Sequence, residues 1–256
     1  MTSTMPRNNR RTNLIWFCLG IGLILVLIRT GGLAKGNLLV FPRVKDIAEA
    51  FLRLIQEGKT YALISTTLWH VLEALALSVG IGFAIGLAEG FSSGAHAFFQ
   101  PLMNLIRSLP MIMLVILIMA MLSYKAVPLT AATVVLIPVI SEAVYEGCRS
   151  IDPELLDVYR LNAGFGWPVV RSVYLPMIAG YVRQAFMNAA GMGLKITVSA
   201  EYLVQTRNSL GKAIYSSSYF SEYAEMYAYA FLMVLLVYLI SKGPVLLYRV
   251  LHRETP

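Results

Sequence analysis

Acidic residues and histidine are scarce along these 256 residues: three aspartates, Asp46, Asp152 and Asp157, and three histidines, His70, His96 and His252. The histidines are too few and too scattered for a His-Glu-x-x-His zinc site. All three aspartates fall outside the long apolar runs, which excludes an intramembrane aspartyl dyad. Serines such as Ser78 and Ser199 have no general base beside them in sequence, so nucleophilic catalysis in a membrane is not expected. Gly58-Lys59-Thr60 resembles the end of a phosphate-binding loop, yet Arg53 stands where that loop needs glycine and the preceding pattern is helical. It reads as a helix terminus and turn, and no other glycine-rich phosphate cradle occurs. Charged residues are only 14% of the chain, too few for a solvated globular surface of this size.

What is present is apolar sequence: 57% hydrophobic residues and a mean hydropathy of +0.67 describe an all-α polytopic membrane protein. Crossing about 30 Å of hydrocarbon at about 1.5 Å per residue takes about 20 residues. Six windows of that kind appear: Leu14–Ile28, His70–Ala88, Pro101–Leu122, Pro128–Tyr145, Met177–Ala200 and Met226–Leu247. The first follows Arg7, Arg10 and Arg11 and is closed by Arg29. It reads as an uncleaved anchor rather than a signal peptide, because Gly31-Gly32-Leu33-Ala34 is a poor cleavage site. Ala34–Thr60 reads as a surface-lying amphipathic helix.

A cytoplasmic start and six spans return the C-terminus, with Lys242, Arg249 and Arg253, to the cytoplasm, and place Arg149, Arg160 and Arg171 there as well. Lys35, Arg43, Lys45, Arg53 and Lys59 then lie outside, partly offset by Asp46, Glu49 and Glu57. The formal net charge of +7 is thus membrane-side basicity, with no nucleic-acid footprint. Cys18 and Cys148 map to cytoplasmic ends of spans, where thiols stay reduced and no disulfide is expected.

Between the fourth and fifth spans lies a polar stretch, Asp152 to Pro176, that cannot face lipid because its charges would find no partners in hydrocarbon. Asp152 suits a helix cap, Pro153 the first helical position, and Glu154 and Asp157 the positive end of the helix dipole. Gly164 stops that helix and a second short one begins near Trp167, which makes a compact amphipathic knob.

The order Asp157-Val158-Tyr159, three residues, Ala163, nine residues, Val173, one residue, Leu175-Pro176 resembles the cytoplasmic loop of binding-protein-dependent ABC importer permeases, Glu-Ala-Ala-x3-Gly-x9-Ile-x-Leu-Pro. Asp157 keeps the acid, Val158 and Tyr159 replace two alanines, and Ala163 stands where glycine is usual, with Gly164 next to it. Leu39-Val40-Phe41-Pro42 with Val44, Arg107-Ser108-Leu109-Pro110, and Ala200-Glu201-Tyr202-Leu203 through Leu210-Gly211 resemble further segments of the sulfonate/nitrate/taurine subgroup.

The resemblance implies a type I importer permease fold of about six transmembrane helices with a cytoplasmic coupling helix. Its parts would be a tail and first span over 1–30, an extracytoplasmic amphipathic segment over 31–68, a five-span core over 69–250 with a coupling loop over 149–176, and a tail over 251–256. It implies a bacterial inner-membrane subunit with both termini in the cytoplasm. The expected partners are an ABC ATPase dimer that holds ATP and Mg, an extracytoplasmic binding protein, and a second permease copy or sister permease. Asp157, Val158, Tyr159, Arg160, Ala163, Gly164 and Phe165 would meet the ATPase. The rival reading is an ATP-independent secondary transporter or channel, which would show an inverted repeat and more intramembrane ionisable groups.

Lys195 is a cation within the fifth span. It either lines the solute route, pairs with Glu201, Glu142 or Glu146, or snorkels to the interface. Glu201 resembles the acid that ends the subgroup's fifth span and, with Arg207 and Lys212, would shape the face that receives the binding protein. His70 and Glu73, one helical turn apart, are spaced for a local hydrogen bond. Gly82, Gly86 and Gly90 form a small-residue ridge for close helix packing, within one subunit or between two. Pro110, Pro128 and Pro138 are candidate kinks, and Tyr219, Tyr223, Tyr227 and Tyr229 a candidate interfacial belt.

Overall fold

The glycine ridge sets the geometry of the bundle. In the computed structural model, which describes residues 19, 42–152, 154 and 170–251 (backbone only at 173 and 241–251), the ridge lies on the 34-residue helix α2, Gly58–Phe91, preceded by the amphipathic α1, Val44–Gln56. It packs within the subunit against α5, Val127–Arg149. A Cβ on Gly82 would lie 2.9 Å from the Ile137 carbonyl, one on Gly86 2.5 Å from the Ser141 carbonyl, and one on Gly90 2.6 Å from Cys148 Cβ. Because the numbers rise together, α2 and α5 run parallel with their backbones nearly touching. Glycine is the only residue that permits this, and such contact drives helix association where lipid removes the hydrophobic effect.

A parallel pair requires the chain to return between its two helices, and α3, Ser93–Ser108, and α4, Met111–Met121, make that return. They meet at 106° across Leu109-Pro110. The third span expected over Pro101–Leu122, with Pro110 as its candidate kink, is therefore two helices. Leu109 is extended and Pro110 precedes α4 with φ −58° and ψ 135°, which breaks the hydrogen-bond ladder. Leu114, Val115 and Ile118 of α4 then pack with Val127, Ala131 and Ala200 at the far end of the bundle.

A π-helical turn, Val170–Tyr174, leads into α6, Leu175–Val204, which runs antiparallel to α5: Gly147 faces Ile178 and Gly193 faces Leu136. The central core forms where α2, α5 and α6 meet, around Val71, Leu136, Ile140, Ile178 and Leu194. Helix α7, Leu210–Tyr219, and α8, Tyr223–Leu251, complete the chain, and α1 docks on α8 through an edge-to-face contact of Phe51 and Phe231 with centroids 5.0 Å apart. The surface helix expected over 34–60 is shorter, because Glu57 is extended and α2 begins at Gly58. Gly58-Lys59-Thr60 is that helix start.

Among the described residues three helices are long and apolar enough to cross a membrane: Gly58–Phe91, Val127–Arg149 and Tyr223–Ile240. The bent pair makes a fourth if counted as one span. The expected first span lies outside the described residues, Leu19 apart. The expected fifth falls on α6, whose 30 residues give about 45 Å of length but whose polar side chains keep it off that count.

Candidate functional site

At one end of the bundle a buried carboxylate ties three helices together. Glu201, on the last turn of α6, is fully buried. Its Oε2 accepts from Thr67 Oγ1 of α2 at 2.9 Å and from the Gly211 N–H of α7 at 3.3 Å, and His70 Nδ1 lies 2.8 Å from Oε1. Thr67 Oγ1 in turn accepts the Leu210 N–H at 3.0 Å. A carboxylate at the start of α7 also complements that helix's dipole. Gly211 is required here, since a Cβ would lie 2.5 Å from Tyr202 N and 2.6 Å from the Val198 carbonyl. The connecting turn is held in left-handed conformations at Gln205 and Asn208. Glu201 thus lies inside the helix packing with no exposed surface, and His70 pairs with it rather than with Glu73.

At the opposite end, a second buried carboxylate faces a cavity of about 270 Å³. Glu89 Oε2 accepts from Ser141 Oγ at 2.7 Å, and His96 Nδ1 lies 3.8 Å from Oε1. His96 stacks flat on Tyr145 with centroids 4.2 Å apart. Arg107 of α3 pairs with Glu142 of α5 and donates to the Pro138 carbonyl at 2.7 Å, which fixes the arm of the bent pair before its break. Cys148 is a buried free thiol beside Gly90.

Lys195 is exposed on α6 and forms no ion pair among the described residues. Of its three candidate partners, Glu201 is enclosed by Thr67, His70 and Gly211, Glu142 is held by Arg107, and Glu146 forms no ion pair with it among the described residues. Arg207 and Lys212 line a cavity of about 430 Å³ with Glu57, Lys59, Glu222 and Glu225. Tyr202, Tyr215, Tyr219 and Phe220 form a chain of ring contacts beside it, with Tyr219 and Phe220 widely exposed.

Asp157, Val158, Tyr159, Arg160, Ala163, Gly164 and Phe165 lie outside the described residues. At the edge of that segment Asp152 Oδ1 accepts the Glu154 N–H at 2.9 Å, the contact of a capping residue. Thr67, Gly211, Glu89, Ser141 and His96 were not singled out for these networks by sequence. The hint available was that polar residues on apolar helices need partners, which spacing cannot identify.

Parallel glycine-locked helices joined by a broken span, with buried carboxylates at both ends of the bundle, define a polytopic helical membrane protein. The chain belongs to the family of binding-protein-dependent transport system inner membrane components, whose sequence profile matches residues 78–255. It is 24% identical over 201 residues to a putative aliphatic sulfonates transport permease protein, SsuC, of Bacillus subtilis, covering 77% of this chain and 72% of that protein. A probable ABC transporter permease protein of Brucella melitensis is also 24% identical over 201 residues, with 78% of each chain covered. The fold resembles a chain in an inward facing conformation of the MetNI methionine ABC transporter, with a TM-score of 0.62, 20% identity, and 76% of this chain and 99% of that one covered. A second crystal form of the same transporter gives a TM-score of 0.61. This chain is therefore an integral inner-membrane protein, the permease subunit of a binding-protein-dependent ABC importer, with the importer permease fold expected from its loop signature.

Proposed function

We propose that this permease is driven by ATP hydrolysed on a separate ATPase dimer, which the segment around Asp157–Phe165 contacts in the cytoplasm. Both chain termini share that side. Two copies, or this chain and a sister permease, enclose the solute route, and a loaded binding protein docks at the end of the bundle that carries α7. ATP and Mg belong to the partner. This chain contributes the moving helices and their joint.

The observation that carries this reading is a family-matched helical core combined with a sequence that has no phosphate-binding loop, so that the energy must arrive through a protein contact. The Asp152–Pro176 stretch is suited to that contact, because it is the longest polar interruption in the core and runs through the Val170–Tyr174 turn directly into α6. Displacing it would tilt α6 against α5. Each ligand, ATP or the loaded binding protein, must favour the outward-open state, because equal affinity for both states shifts nothing. Aliphatic sulfonates and methionine belong to the similar proteins' names; for this chain a small solute is proposed, with an anion favoured by Lys195.

Reconstitution in liposomes tests the reading. Uptake should require the ATPase partner and ATP. Uptake that persists with this chain alone would establish the rival, a secondary transporter or channel.

A further inference from the structure

We infer that the exposed face of α6 is the aqueous wall of the solute route and that Lys195 makes this wall selective for small anions, an inference that rests on the permease reading above. Gln184, Asn188, Met192, Lys195 and Ser199 are all exposed. At about 100° per residue they fall within an arc of roughly 80°, one continuous stripe. The opposite face, with Ala185, Ala189, Leu194, Ile196 and Val198, is buried in the bundle. Two carboxamides, an ammonium group and a hydroxyl on one side of a membrane helix have no partners in hydrocarbon, so this side faces water or protein. Depth supports the same conclusion. A 30 Å hydrocarbon layer centred on a helix of about 45 Å leaves Lys195, nine residues from the end of α6, roughly 7 Å inside the layer.

Among the described residues nothing opposes the charge on the stripe. Gln184 Nε2 reaches Asn188 Oδ1 at 3.4 Å, and Ser199 Oγ donates to the Lys195 carbonyl at 2.9 Å, leaving its lone pairs free. No carboxylate lies on the stripe, and Glu201 and Glu142 are committed elsewhere. An anion would meet the ammonium group of Lys195 with neutral hydrogen-bonding groups above and below it. A cation would meet only repulsion. Were two copies to enclose the route, two such stripes would bound it.

Charge-selective thiol labelling tests this without knowledge of the natural solute. The full-length chain, assembled with its ATPase in liposomes and with Cys18 replaced by serine, carries Asn188→Cys or Ser199→Cys. Two membrane-impermeant methanethiosulfonates are compared, one with a sulfonate head and one with a trimethylammonium head, each rate normalised to a free thiol. One helical turn, about 6 Å, separates Lys195 from position 199. In a water-like dielectric at that distance a unit charge raises the local anion concentration about threefold and lowers that of a cation about threefold, a ratio of about ten at low salt.

Both positions should react, with the sulfonate reagent favoured about tenfold at position 199. Lys195→Met should bring the ratio to about one and Lys195→Glu should invert it, while Val234→Cys on the apolar face of α8 should stay unreactive. Unreactive cysteines at 188 and 199, or a ratio indifferent to Lys195→Met, overturn the inference. If such a complex still couples ATP to uptake, the permease reading survives its loss. If the chain holds no ATPase, that reading fails instead, and the ratio can still be read on the chain alone.

Discussion

Adding one methyl group at Gly86 should have the opposite effect on stability to adding one at Gly80, six residues earlier on the same helix. A Cβ at Gly80 meets nothing within 4 Å, whereas one at Gly86 lies 2.5 Å from the Ser141 carbonyl and 2.7 Å from Val144 Cβ. Glycine to alanine inside a helix gains about 0.5–1 kcal/mol in either case. At Gly86 the backbone of α5 would have to retreat by nearly an ångström, an overpacking cost of about 1–3 kcal/mol.

The difference between the two variants isolates the seam, because the propensity gain is common to both. For a chain of this size about 2–4 °C accompanies each kcal/mol, so the melting temperatures should separate by roughly 2–12 °C, with Gly80→Ala above the parent and Gly86→Ala below it. Cys148 supplies the assay. It is buried against Gly90, and a thiol-reactive fluorophore reports its exposure as the protein is heated, with Cys18 replaced by serine. Equal shifts at the two positions would refute the close parallel packing of α2 and α5.

Glu201→Ala should destabilise the fold by about 3–5 kcal/mol, because it strands His70, Thr67 and the Gly211 N–H in a buried site; the loss is read as reduced yield of dispersed protein on size exclusion. Glu201→Gln, which keeps the shape and one acceptor oxygen, should retain more. Asp157→Lys and Ala163→Trp should each reduce copurification of the ATPase severalfold while leaving membrane insertion unchanged. Undiminished copurification in both would remove the docking role.

Much of the architecture was legible because apolar runs and small-residue spacing are local properties. The Gly82, Gly86 and Gly90 ridge could be read directly, although its partner helix could not, since spacing records which face is small and not what approaches it. Pro110 was a recognisable kink site. The 106° break was not, because a proline ahead of an apolar run marks a kink without its angle, and the seating of α4 on Val127 and Ala131 could not be read from spacing.

His70 shows the same limit in the polar groups. Its three-residue spacing favoured Glu73, and tertiary structure supplied Glu201, 131 residues away, which was already surrounded by donors. Of the readings open for Lys195, pairing with Glu201 is removed for that reason. Intervals of four, seven and four residues among Gln184, Asn188, Lys195 and Ser199 were present in the sequence and mark the polar face without any coordinates.

The central claim is that the polar segment between α5 and α6 faces the cytoplasm and receives the stroke of a nucleotide-hydrolysing partner. Tyr159→Cys, in a chain with Cys18 replaced by serine, should be modified by an impermeant thiol reagent only when the reagent has access to the cytoplasmic side, and bound ATPase should protect it. Modification of intact cells from outside, at the rate found for an extracytoplasmic control such as Asn208→Cys, would contradict the account.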